Sequence, residues 1–146
     1  MTRTRRTARQ TGSAFEQQTA DGFARALGNP DIDKAPRKGR NDIGDVANVR
    51  HANGERIAVE VKEYGGKLEP TTWTREATVE AVNYKAICGI VIAKRRGTRD
   101  FGSQWVLMTG ADLISLLTGD QSEHVTKLIL DRAITNANEN QSQGIA

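Results

Sequence analysis

The sequence holds a single cysteine, Cys88, and two histidines, His51 and His124, among 146 residues. One cysteine excludes an intramolecular disulfide and any multi-cysteine zinc site. Cys88 then reads as a small core residue, and a reducing, cytoplasmic setting is expected. His51, beside a turn and expected to be exposed, and His124 lie far apart with no ligand spacing, so neither is assigned a role. No apolar run approaches the roughly 18–20 residues that cross a bilayer, so no membrane partner is expected. The segment from Met1 to Arg9 is basic, but no apolar stretch follows it, and a secretory signal is not expected.

What is present is charge, unevenly placed. Net charge is +3, yet residues 1–40 carry nine Lys/Arg against four Asp/Glu, and the rest carry twelve against fourteen. A basic end on a near-neutral body suits a polyanionic partner, of which nucleic acid is the commonest, or serves as a solubilising tail. Length and composition suit one domain with a modest core.

Periodicity divides the chain as follows. Residues 1–11 are small, polar and basic, and are expected to form a disordered arm. A helix is expected over 13–27, with Phe15, Ala20, Phe23, Ala24 and Leu27 at helical spacing, ended by Gly28-Asn29-Pro30. Residues 30–42 read as a loop. Strands 46–51 and 56–62 flank Asn53-Gly54, the preferred pair for a two-residue type I′ turn. A helix over 72–85, bearing Trp73, Ala77, Ala81 and Tyr84, precedes the apolar strand 87–93, which suits burial on both faces. After a basic loop at 94–97 come a strand over 103–108 and helices over 111–117 and 122–134. Residues 136–146 are expected to fray. The single domain thus spans 12–135, and its element order predicts an α/β fold with a mixed sheet flanked by helices.

The chemistry concentrates in Ile57-Ala58-Val59-Glu60-Val61-Lys62. On a strand, Ile57, Val59 and Val61 share one face, while Ala58, Glu60 and Lys62 share the other. A two-residue turn at Asn53-Gly54 places Asp45 opposite Lys62 and diagonal to Glu60, on the same face. Opposed and diagonal neighbours lie roughly 5–8 Å apart, near enough for two carboxylates to share one ion. Asp42, the rival acid, has the other parity unless a bulge intervenes. Two carboxylates suit a hard divalent cation such as Mg²⁺ or Mn²⁺, and a lysine beside them suits phosphodiester hydrolysis, by positioning water or offsetting transition-state charge. A shifted pKa would alternatively let it serve as general acid or base.

Gly44-Asp45, followed by Glu60-Val61-Lys62, resembles the PD-(D/E)xK nuclease superfamily, and the α-β-β-α-β order is similar to its restriction-endonuclease-like core. Within it the chain most resembles the archaeal-type and phage-type Holliday junction resolvases, over about residues 12–108. One departure is Gly44, where the motif's proline would stand.

The resemblance implies that Asp45 and Glu60 bind metal, with the main-chain carbonyl of Val61, and that Lys62 acts near the attacking water. It also implies that a first-helix glutamate, Glu16 by position, completes the metal site. A second reading of Glu16 is local: Ser13-Ala14-Phe15-Glu16 fits a capping box.

Basic residues Lys34, Arg37, Lys38 and Arg40 precede the acids, and Lys94, Arg95, Arg96 and Arg99 follow the apolar strand. Such loops can track DNA phosphates beside a site, Arg40 being the preferred individual contact. Trp73 and Trp105 are expected in the core, with base stacking as the alternative. The expected function is a metal-dependent endonuclease acting on branched DNA, a homodimer in a bacterial, archaeal or phage-infected cell. A nuclease acting on duplex ends or a restriction site, and a non-catalytic DNA-binding module, are the alternatives.

Overall fold

The computed structural model describes residues 2–144. The chain is α/β, with a five-stranded mixed sheet flanked by helices, as the element order implied. In chain order the elements are α1 (Arg5–Leu27), β1 (Asp33–Lys34), β2 (Val46–Ala47), β3 (Ile57–Lys62), α2 (Pro70–Tyr84), β4 (Cys88–Ala93), β5 (Trp105–Leu107), α3 (Gly110–Thr118) and α4 (Glu123–Gln143). The strands lie side by side in that order, antiparallel except for β3 and β4, which run parallel with α2 crossing between them. Among the described residues no helix is long and apolar enough to cross a membrane.

The alternation along β3 sorts the core into two sides. Val59 and Val61 pack with Phe15 and Ala20 of α1 and with Ile90 and Ile92 of β4. Ala58 faces the other way, toward Ala81 and Tyr84 of α2 and Val125 of α4. All six residues of β4 are buried, which explains its unbroken apolar run. Gly89 lets α2 press against that strand, since a Cβ there would lie 2.2 Å from the carbonyl oxygen of Ala77. This close approach fixes the helix that carries Glu76 and Glu80.

Several expectations change. Residues 5–11, expected to be disordered, continue α1, because the Thr4 hydroxyl caps the helix by accepting from the Thr7 N–H at 3.2 Å. Residues 136–143, expected to fray, extend α4, although every side chain from residue 131 to residue 143 is exposed. Met1, Ile145 and Ala146, which belong to those two expected ends, lie outside the described residues. The loop expected over 30–42 contains β1, which pairs with β2 through Asp33–Ala47 and Lys34–Val46. Trp73 is buried as expected, whereas Trp105 sits exposed on edge strand β5 with the Arg95 guanidinium 4.6 Å over its ring. His51, expected to be exposed, is half-buried, and its Nε2 lies 3.0 Å from the carbonyl oxygen of Leu116.

The hairpin register also differs. The turn uses three residues: the Gly54 N–H donates to His51 O, and the His51 N–H donates to Glu55 O. Gly54 takes φ 92°, the left-handed position that closes a three-residue loop. A second shift follows at Asn48, at φ 70°, so that Val46 pairs with Val59. Each step moves the register by one residue. Together they restore the parity that keeps Asp45 on the Glu60 face, but Asp45 comes opposite Glu60 rather than Lys62.

Candidate active site

Asp45 is positioned by main-chain bonds to β3 on both sides. Its N–H donates to Val59 O, and its Oδ2 accepts from the Val61 N–H, each at 2.7 Å. Gly44 makes this approach possible: it takes φ 99°, and a Cβ would meet Val59 O at 2.7 Å. Proline, held near φ −65°, could not adopt that conformation, which explains the departure from the motif.

Beside it, Glu60 is buried in the middle of β3, and Lys62 follows two residues on along the same face. The Lys62 Nζ lies 3.5 Å from Glu60 Oε1 and 2.6 Å from Glu76 Oε2 on α2. Burial opposes its charge, but Glu76 and Glu60 together hold its pKa above the ordinary lysine value. Lys62 is therefore a fixed cation.

The acids are the opposite case. Burial, followed by a hydrogen bond and charge repulsion from Glu60, pushes Asp45 up to about 8. Burial and the neighbouring Glu80 carboxyl push Glu60 up to about 8. Glu80 itself is raised to about 7, first by burial and then by the charges of Asp45 and Asp42. Burial and mutual repulsion thus hold all three acids toward their protonated forms.

Sequence reasoning missed Glu80 and Glu76. Glu80 occupies the buried stripe of α2 formed by Trp73, Ala77, Ala81 and Tyr84, and an acid at that spacing was the available signal. Among the described residues its Oε2 is the one buried side-chain polar atom that no N–H or O–H reaches.

Glu16 projects from α1 to the edge of the same region. It lines a cavity of about 360 Å³ with Lys34, Arg37, Asp42, Gly44 and Asp45, and its Oε2 lies 3.5 Å from Lys34 Nζ. The capping-box reading fails, because α1 begins eight residues before Ser13 and leaves that residue in mid-helix. Lys34 is therefore engaged at the site, also donating to Ser13 Oγ at 2.8 Å. Asp42 lines this cavity too, against the parity expectation. The 3-10 turn at Gly39–Asn41 and the left-handed Gly44 break the strand alternation before Asp45.

The basic loops stand on either side. Arg37, Lys38 and Arg40 are exposed beside the Asp45 cavity. The other loop begins next to the lysine, where the Lys94 N–H donates to Lys62 O at 2.9 Å. The Lys94 ammonium turns back to the carbonyls of Arg95 and Thr98 and holds the loop shape. Arg95 and Arg96 remain exposed.

Among the described residues, no three Asp, Glu, His or Cys side chains form a ready cage for a metal ion. The donor set nevertheless fits one: Asp45, Glu60 and Glu80 offer only oxygen, the two glutamates are buried, and Glu80 Oε2 accepts from no N–H or O–H, which suits a hard cation. No protein-family model, curated protein or solved structure matches this chain.

Proposed function

We propose that the protein is a divalent-cation-dependent DNA endonuclease of the PD-(D/E)xK type, built on that superfamily's restriction-endonuclease-like core. The observation that carries this reading is that half-buried Asp45 is bonded to β3 opposite the buried Glu60, on the strand face that also bears Lys62. A binding module has no use for that arrangement, because unneutralised acids repel a phosphate backbone.

Asp45 and Glu60 would hold Mg²⁺ or Mn²⁺, with Glu16 from the shared cavity and, by the resemblance, the Val61 carbonyl. When bound, such a cation polarises a phosphate oxygen and favours loss of a proton from water. Lys62, kept charged by Glu76 and Glu60, orients the attacking water or offsets charge on the reacting phosphate; it does not serve as a base. Asp45, anchored by the Val61 N–H, keeps its carboxyl aimed beside Glu60. Arg37, Lys38 and Arg40 on one side, with Arg95 and Arg96 on the other, hold the strand by its phosphates.

The narrower reading is a resolvase that cuts branched DNA as a homodimer. It rests on the resemblance and on the exposed apolar side chains of α3, Leu113, Ile114 and Leu117, which a second copy would cover. The test compares a four-way junction, a replication fork and linear duplex, with and without Mg²⁺. Cation-dependent cutting is expected, with paired symmetric nicks in the junction and far less cutting of the duplex. Binding without cleavage at any cation concentration contradicts the nuclease reading. Equal cutting of junction and duplex removes only the resolvase.

A further inference from the structure

Glu80 is unexplained by Asp45, Glu60 and Lys62 alone. It is 8% exposed, in the middle of α2, on the helix face that Gly89 brings hard against the sheet. A buried carboxylate is costly without a donor or a cation. No N–H or O–H reaches Glu80 Oε2, and Lys62 pairs with Glu76 and Glu60 instead. One helical turn before it, Glu76 reaches Lys62, which in turn lies 3.5 Å from Glu60, so Glu80 stands on the side of α2 that meets the site. Its neighbours in the stripe, Ala77 and Ala81, belong to the apolar clusters, and Glu80 does not. A carboxyl is thus held on the helix face beside the site with one buried oxygen unspent.

We propose that Glu80 is itself a ligand of the divalent cation, so that Glu60 stands between two other carboxylate donors, Asp45 from the strand side and Glu80 from the helix side. This deepens the nuclease reading and rests on it. It also assigns α2 a place in the chemistry: one turn of helix supplies Glu76 to hold Lys62, and the next supplies Glu80. The donors are all oxygen, so Mg²⁺ and Mn²⁺ are the cations expected, and a softer metal that prefers nitrogen or sulfur is not.

The experiment is Mn²⁺ binding by calorimetry without DNA, on the full chain and on Glu80→Gln, with metal-free melting recorded for both. Glutamine keeps the shape and removes the charge. Glu80→Gln should bind Mn²⁺ at least about tenfold more weakly, as loss of a group that supports a metal site does. Its metal-free melting temperature should be equal to or above that of the unaltered chain. If the unaltered chain binds Mn²⁺ and Glu80→Gln binds it equally well, Glu80 is only a proton-sharing partner of Glu60, and the proposal is overturned. If the unaltered chain binds no Mn²⁺, the cation site itself is lost and the nuclease reading with it. Should Glu80→Gln not fold, Glu80→Ala gives the same reading, because it also removes the donor.

Discussion

The two faces of β3 are made by alternate residues of one short strand, and they are opposite in kind. Ile57, Val59 and Val61 sit in a continuous apolar cluster with α1 and β4. Ala58, Glu60 and Lys62 face α2, where the apolar packing gives way to a run of charged groups. The first face does what burial ordinarily does and stabilises the fold. The second holds acids driven toward neutrality by burial and by each other, which costs stability. One strand thus carries both the foundation of the domain and the group of residues that works against it. Such local conflict is where function is expected.

The sharpest way to break the comparison is to remove one charge from the polar face. Asp45→Asn and Lys62→Ala should each lower cleavage by at least about two to three orders of magnitude, as for loss of a transition-state contact, with DNA binding retained. Ile57→Ala, on the apolar face, should do the reverse. It should cost about 2–5 kcal/mol of stability in denaturant unfolding, while cleavage per folded molecule stays near that of the unaltered chain. Equal loss of rate in the two sets would erase the distinction between the faces.

The polar face also predicts a pH dependence of opposite sign to the usual acid effect. Asp45, Glu60 and Glu80 bind protons more tightly when folded than when unfolded. Their contribution is therefore fully present below about pH 4 and is lost as pH rises through about 7 to 8. Without metal, the melting temperature should fall between pH 5 and pH 8.5. Added Mn²⁺ should restore it, more at the higher pH, because the cation competes with those protons. A metal-free melting temperature that rises over that range contradicts the buried-acid account.

Smaller effects sharpen the edges of the site. Glu16→Gln should reduce cleavage while leaving melting nearly unchanged, since Glu16 caps no helix. A change in melting alone would return Glu16 to a structural role. Changing Arg37, Lys38 and Arg40 together to alanine should weaken DNA binding and flatten its salt dependence by up to about three units, one per phosphate contact. These side chains are exposed, so the fold should be untouched.

Much of this was legible in the sequence, and the rest was hidden for physical reasons. Period-two alternation at Ile57 to Lys62 and the apolar run of β4 located the strands, and their order gave a mixed sheet. The hairpin was misread twice, at a turn that uses three residues and at a left-handed Asn48, and the two shifts cancelled in parity. Asp45 was therefore placed on the right face by an incorrect register. Parity said nothing reliable about Asp42, because Gly44 interrupts the strand between them. Glu80 lies in the helical stripe, but its neighbour Ala81 satisfied that stripe equally well, and only the packing of α2 on Gly89 shows the acid to be buried. The start of α1 was set by a single hydroxyl, that of Thr4, in a segment whose composition reads as disordered.

The central claim is that Glu60 is held against its own stability because the chemistry needs it. Glu60→Gln tests this in one sample, through the rate of DNA cleavage with Mg²⁺ and the metal-free melting temperature at pH 8. The account predicts a fall in rate of at least about a hundredfold, together with a melting temperature equal to or above that of the unaltered protein. Cleavage near the original rate, or a loss of rate that merely follows a loss of folded protein, would contradict it.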